Sequence, residues 1–302
     1  METAKRRKKI NGPDLAGQIF VIAFLLIIFI VTFFPFWNIL VLSLNEAGDT
    51  MKGGVTIWPR VFSLDSYKAV FTNDKILPAA RVTVLRTIIG VPLTVVNTSL
   101  LAYGLSKRSL PGRKGITFYF IFTMYFSGGM IPTYMVMRSL KLTDNFAVFI
   151  LPGLVNIFWM ILVRTYMEGL PAELEESAKL DGANDMTIFI RIILPLCVPI
   201  ITTIILFSAI NHWNAWYDSY IYTNKASLTT LPAELVRILN QYQTGDMLSA
   251  SQQLAQENKR VPVSSESIRM AVTMVTILPI IMVYPFLQKY FIKGMMVGAI
   301  KS

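Results

Sequence analysis

Only one cysteine, Cys197, and one histidine, His212, occur in the 302 residues. A lone thiol excludes an intrachain disulfide, and neither residue has partners for a metal-ligand cluster. Charged residues are scarce, at 15% against 54% hydrophobic. The mean hydropathy is +0.53, and a soluble domain has little use for so much apolar surface. No Gly-x-x-x-x-Gly-Lys-Ser/Thr segment occurs, so the chain lacks a phosphate-cradling loop of that type. The long apolar runs are nearly free of acids, which argues against proton relay in an ion-coupled secondary transporter. The net charge is +10. Its bases do not cluster on a soluble module and no nucleic-acid motif accompanies them, so no nucleic-acid partner is expected.

What the chain has is apolar runs of roughly 20 residues, the length of a membrane helix. They fall at 17–43, 78–105, 115–137, 146–166, 194–213 and 268–290. The fold class is therefore an all-α membrane protein with six transmembrane helices. Lys5, Arg6, Arg7, Lys8 and Lys9 precede the first run, and Lys107, Arg108, Arg113 and Lys114 crowd one short connection. Bases favour the cytoplasmic side, which places both termini there, and the tail suits anionic lipid headgroups. The chain then divides into a basic tail 1–16, a first span 17–43, an external segment 44–77, a core 78–290 and a cytoplasmic tail 291–302. The first run is too long for a signal-peptide core and reads as a retained span. Pro35 is expected to bend it. Ser127-Gly128-Gly129 and Pro132 interrupt the third span, and Pro152-Gly153 the fourth. Pro195 and Pro199 should bend the fifth near its inner end.

The polar interruption at 168–195 organises the rest. Glu168, Glu173, Glu175 and Glu176 crowd its front, where carboxylates complement a helix N-terminus. Pro171 suits a first helical turn. Leu174 and Ala178 share one helical face. Gly182 stands where a left-handed turn would end the helix, and Asn184 can cap a second one. That second helix carries Ile188, Phe189, Ile192 and Ile193 into the next span. Periodicity alone also fits an ordinary amphipathic connector.

The spacing here resembles the coupling loop of permease subunits in binding-protein-dependent ABC importers. The family pattern is Glu-Ala-Ala, three residues, Gly, nine residues, Ile, one residue, Leu-Pro. Glu176-Ser177-Ala178, Gly182, Ile192, Leu194 and Pro195 match it, with Ser177 in place of the middle alanine. Thr230-Leu231-Pro232 also resembles that family, and the stretch from Tyr284 to Lys301 resembles its maltose-type carbohydrate permeases, complex-oligosaccharide branch. The resemblance implies a type I ABC importer permease fold with a cytoplasmic coupling helix between spans 4 and 5. It implies a multi-pass subunit of a bacterial cytoplasmic (inner) membrane that moves a sugar or oligosaccharide by alternating access. Its partners would be a second, similar permease, two ATPase subunits that bind ATP and Mg, and an extracellular or periplasmic solute-binding protein. This chain itself would hold no cofactor, no metal and no catalytic residue. The coupling residues would be Glu173, Glu176, Ser177, Ala178, Asp181, Gly182, Ala183 and Pro195.

A solute pathway has weaker marks. Arg81 and Arg86 lie at the outer end of the second span, where snorkelling to headgroups is the plain alternative. Asn156 and Trp159 sit one turn apart in the fourth. Trp213 belongs to Asn211-His212-Trp213-Asn214-Ala215-Trp216-Tyr217, which with Asp218 suits either sugar rings or an interface belt. The external loop 217–267 has helical character at 233–243 and 246–258, and the resemblance directs it toward the solute-binding protein. The rival classes are an ion-coupled transporter, a membrane-embedded enzyme acting on lipid-linked sugar, and a purely structural subunit. An enzyme would want paired carboxylates near the interface; Glu173, Glu175 and Glu176 instead share one helix start.

Overall fold

The computed structural model describes residues 12–238, 240 and 264–299. The basic tail at 5–9, the segment 246–258, most of the expected helix end at 239–243, and Lys301 lie outside them. Among the described residues there is no strand, only an isolated bridge between Asn45 and Phe62.

Two compact units divide the chain: residues 1–70 with 255–274, and residues 71–254 with 275–302. The first unit contains α1 (Gly12–Ser43), α2 (Ala47–Thr50) and most of α3 (Asp65–Phe71). Helix α1 is unbroken at Pro35, and no residue in its spanning window is buried within the chain. Valine, isoleucine and phenylalanine surround it on every side, as suits a helix that meets lipid or another protein. The segment after it folds back on itself. Asn45 is almost fully buried; its Nδ2 donates to Thr50 Oγ1 at 3.0 Å and its Oδ1 accepts from the Val61 amide at 3.0 Å. Trp37 donates to the Ile57 carbonyl at 2.8 Å. Trp58 is 72% exposed.

The second unit is built around α4 (Ile76–Ser106), which packs against α7 (Ile157–Glu168) and α11 (Val198–Asn214). Arg86, Gly90, Thr94, Thr98 and Ala102 are all buried. They recur every four residues, so they form one narrow stripe of mostly small side chains along which other helices approach closely. A Cβ on Gly90 would lie 2.5 Å from the His212 ring, so glycine there is what admits the imidazole of α11. The core toward the α4 C-terminus gathers Ala102, Tyr103, Trp159, Met160, Val163, Ile188, Phe189 and Cys197. Cys197 is fully buried, as a small core residue would be.

Between α4 and α7 lie α5 (Arg113–Tyr125) and α6 (Met130–Ser139), then two 3-10 turns, Phe146–Phe149 and Leu151–Gly153. After α7 come α8 (Glu173–Leu180), α9 (Asp185–Ile188), a π-turn at Phe189–Ile193 and α10 (Leu194–Leu196). α12 (Tyr217–Tyr222) and α13 (residues 231–238) follow α11, and α14 (Ser265–Ala299) runs from the first unit into the second. The helix continues beyond the expected end of the last span at 290.

The apolar runs are not all straight rods. Those at 17–43 and 78–105 are single helices of spanning length. The run at 115–137 is a pair bent by 117° around Ser127-Gly128-Gly129, and that at 146–166 bends by 46° ahead of α7. Glycine and proline remove local helical preference at both breaks. The fifth run bends by 81° between α10 and α11. Pro195 and Pro199 flank that kink, which centres on Cys197.

Candidate functional site

The segment between α7 and α11 is an exposed elbow with a locked corner. Glu173, Glu175 and Glu176 occupy the first turn of α8. Ala178 is buried, while Leu180 on the opposite face is 89% exposed. The helix ends in a hydrogen-bonded glycine motif: the Ala183 amide donates to the Ala178 carbonyl and the Gly182 amide to the Lys179 carbonyl, both at 3.0 Å. Gly182 has φ +80°, and a Cβ there would meet nothing within 4 Å. Its requirement is therefore the left-handed backbone, not space. Asn184 caps α9, its side chain accepting from the Thr187 amide at 2.8 Å. Both turn assignments made from the sequence coincide with this geometry.

Glu173, Glu176, Ser177, Asp181 and Gly182 are exposed on this elbow, and Ala183 is half-buried. Pro195 is exposed two residues before the buried Cys197, at the start of the kink. The π-turn at Phe189–Ile193 sits between elbow and kink. π-turns widen the ladder and recur at functional positions; spacing in the sequence did not reveal this one.

The elbow is tied to the α4–α5 connection. Lys107, the C-cap of α4, ion-pairs with Glu175, and its Nζ stands 3.9 Å from the Tyr103 ring centroid. Burial pulls the Lys107 ammonium down, but its hydrogen bonds to Glu175 and then to Tyr103 outweigh this and hold its pKa above the usual lysine value. Lys107 is therefore charged at neutral pH. The Tyr103 hydroxyl donates to the Asp185 carbonyl at 3.1 Å, and its ring lies 4.9 Å from that of Phe189. Arg113 ion-pairs with Glu168 and donates from Nε to the Leu105 carbonyl at 2.7 Å. Arg164 reaches the same Glu168 carboxylate at 2.8 Å and Thr117 Oγ1 at 2.9 Å. None of these pairings was read from the sequence. Lys107 and Glu175 are 68 residues apart, and local spacing carries no signal over that distance.

The candidate pathway residues are dispersed. Arg81 is exposed. Arg86 is 2% exposed. Its Nη1 donates to Asp218 Oδ1 at 2.9 Å and to the Ala215 carbonyl at 3.1 Å; its Nη2 donates to Asp218 Oδ2 at 2.5 Å and to the Phe149 carbonyl at 3.3 Å. Only the Nε–H lacks a partner. Asn156 caps α7 through the Trp159 amide at 3.0 Å, and Trp159 is buried. Trp213 donates to the Thr276 carbonyl at 3.0 Å. Thr230 and Leu231 are buried, and the Leu231 amide donates to Thr83 Oγ1 on α4 at 2.8 Å. Among the described residues no group of three or more His, Cys, Asp or Glu could hold a metal ion.

The family model for binding-protein-dependent transport system inner membrane components matches residues 82–297. The chain belongs to that family. It is a permease subunit of an ABC importer, not an enzyme, and ATP hydrolysis belongs to a separate subunit. The readings as an ion-coupled transporter and as a lipid-linked-sugar enzyme fall with that finding. The permease is 37% identical over 281 residues to the polygalacturonan/rhamnogalacturonan transport system permease protein YtcP of Bacillus subtilis, covering 92% of this chain and 96% of that one. It is 29% identical to the arabinooligosaccharides transport system permease protein AraQ of Bacillus subtilis, covering 92% and 94%. A solved bacterial ABC transporter involved in the import of the acidic polysaccharide alginate has a chain of similar fold. Its TM-score is 0.80 at 28% identity, over 94% of this permease and all of that chain.

Proposed function

We propose that this permease carries a sugar or oligosaccharide across the bacterial cytoplasmic membrane, and that residues 168–195 are its coupling elbow on the cytoplasmic side. The carbohydrate assignment draws on the relatives, whose names carry polygalacturonan/rhamnogalacturonan, arabinooligosaccharides and the acidic polysaccharide alginate. The bundle then has six spans, with three of them bent, and both termini are cytoplasmic. A second, similar permease, two ATPase subunits holding ATP and Mg, and a solute-binding protein complete the machine. Of the pathway candidates Arg81, Arg86, Asn156, Trp159 and Trp213, the exposed Arg81 is the one proposed for direct solute contact, while the buried Arg86 and Trp159 would act by holding the helices that line the path.

One observation carries the coupling role: Leu180 is 89% exposed at the tip of a helix whose other face is anchored by Ala178. A leucine held out on a locked corner suits insertion into a groove of a neighbouring subunit. Glu173, Glu176 and Asp181 surround it with negative charge suited to basic groups there. ATP binding closes the ATPase subunits and displaces the corner. The π-turn and the kink at Cys197 carry that displacement into α11, and the outward-facing state gains population.

The only native thiol is buried, so an introduced cysteine is a clean probe. Leu180→Cys should react with a membrane-impermeant maleimide from the cytoplasmic side alone, and less once the ATPase subunits are assembled on it. It should also cross-link to the ATPase subunit. Labelling from the outside, or no cross-link in a transporter that imports normally, would remove the coupling role.

A further inference from the structure

The elbow's direct route into the membrane is through α9 and the π-turn to α11. The ion pairs described above make a second route. Three points on or beside the elbow are held by the inner end of α4 and the connection that follows it. Glu175 is held by Lys107, the Asp185 carbonyl by Tyr103, and Glu168 by Arg113. The Tyr103 ring also packs, tilted by 38°, against Phe189 within the π-turn. These contacts lie on both sides of the Gly182 corner. Arg113 reaches back to the Leu105 carbonyl on α4 while it holds Glu168, so the connection cannot shift against α4 without breaking that bond. The bases at 107–114 meet the topology rule as well, but that rule asks only for charge near the inner surface. It does not ask for partners on the elbow.

We infer that Lys107, with Tyr103 and Arg113, is a positioning residue that delivers the elbow's movement to α4 as well as to α11. α4 is the central helix of the second unit, and Arg86 on it grips the Ala215 carbonyl and Asp218 beyond α11. Motion applied to the inner end of α4 would therefore reach the opposite end of both helices. The inference rests on the reading of 168–195 as the ATPase-docking elbow.

The test uses the whole transporter in proteoliposomes, with partner permease, ATPase subunits and solute-binding protein. It reads solute imported per ATP hydrolysed. Lys107→Glu sets a carboxylate against Glu175 and should lower that ratio about fivefold or more, the lower range of a site-to-site coupling. The Leu180→Cys cross-link to the ATPase should persist in the same background. Adding Glu175→Lys restores an opposite-charge pair and should recover much of the ratio, which a merely structural defect would not. Glu175→Gln breaks the link without like-charge repulsion. It should give a similar loss, and it serves if Lys107→Glu fails to assemble. An unchanged ratio in Glu175→Gln with the cross-link intact would overturn the inference alone. So would a charge-swapped pair as uncoupled as the single variant. Absence of the cross-link in the otherwise native transporter would instead sink the docking reading, and this inference with it.

Discussion

Helix α4 carries an ion pair toward each end, and the two are built differently. Arg86 and Lys107 are 21 residues apart, roughly 30 Å of helix, about the thickness of a bilayer core. At one end Arg86 and Asp218 have side-chain exposures of 3% and 21%. The guanidinium is forked on the carboxylate and also held by two carbonyls. At the other, Lys107 and Glu175 are 18% and 26% exposed, and Arg113 and Glu168 share their carboxylate with Arg164. A forked pair whose guanidinium is buried admits essentially one geometry, because that charge left alone is costly there. Pairs in which both partners are partly exposed, and so reach water, can shift and re-form. The difference assigns a fixed joint to the Arg86 end and a working joint to the elbow end.

The sharpest way to break this contrast is at Asp218. Asp218→Ala strands the Arg86 charge and should destabilise the permease by roughly 3–5 kcal/mol. Thermal unfolding in detergent, read by size-exclusion chromatography, would register it. Arg86→Met with Asp218→Leu should recover most of that loss, because the desolvation cost of both charges is then gone. An Asp218→Ala variant as stable as the native protein would mean the joint is not rigid. The Lys107 and Glu175 variants should lose coupling before they lose stability, since partly exposed pairs contribute little to folding.

The smallest effect is expected outside both joints, at Asp144. Its carboxylate accepts from the amides of Asn224 at 2.6 Å and Lys225 at 3.1 Å, and these bonds hold its pKa below the usual 3.8. A depressed carboxylate contributes stability that is present above its unfolded pKa, about 3.9, and is lost as pH falls through the lower folded value. Hydrogen-exchange protection of the Asn224 and Lys225 amides should thus be level from neutral pH down to the unfolded value and fall only in stronger acid. Asp144→Asn should abolish that acid step. Protection that already declines near neutral pH would point to another group.

The sequence was most legible where short-range chemistry decides. Gly182 and Asn184 could be read as a helix stop and a helix cap because each acts within four residues of itself. The runs at 17–43 and 78–105 were read from apolar length alone. The breaks at Ser127-Gly128-Gly129 and Pro152-Gly153 were marked by residue type, but their angles were not, because an angle depends on what the two halves pack against. The π-turn at Phe189–Ile193 left no mark in a row of apolar residues that fits an α-helix equally well. Arg86 was visible as a basic residue in an apolar helix. Its partner Asp218, 132 residues on, was read as a possible sugar contact because nothing local ties the two together.

Coupling through the elbow requires that the corner at Gly182 transmit ATP-driven movement as a stiff unit. Its most direct test is the ratio of solute imported to ATP hydrolysed in a Gly182→Val transporter. A Cβ-bearing residue in the left-handed region costs roughly 1–2 kcal/mol, a factor of about 5–30 in the population of the correctly closed corner. Within this chain a Cβ there would meet nothing within 4 Å, so the permease itself should still fold and insert. ATP hydrolysis should continue with solute import per ATP lowered by up to a factor in that range; a variant that imports as much solute per ATP as the native permease would rule out a stiff corner.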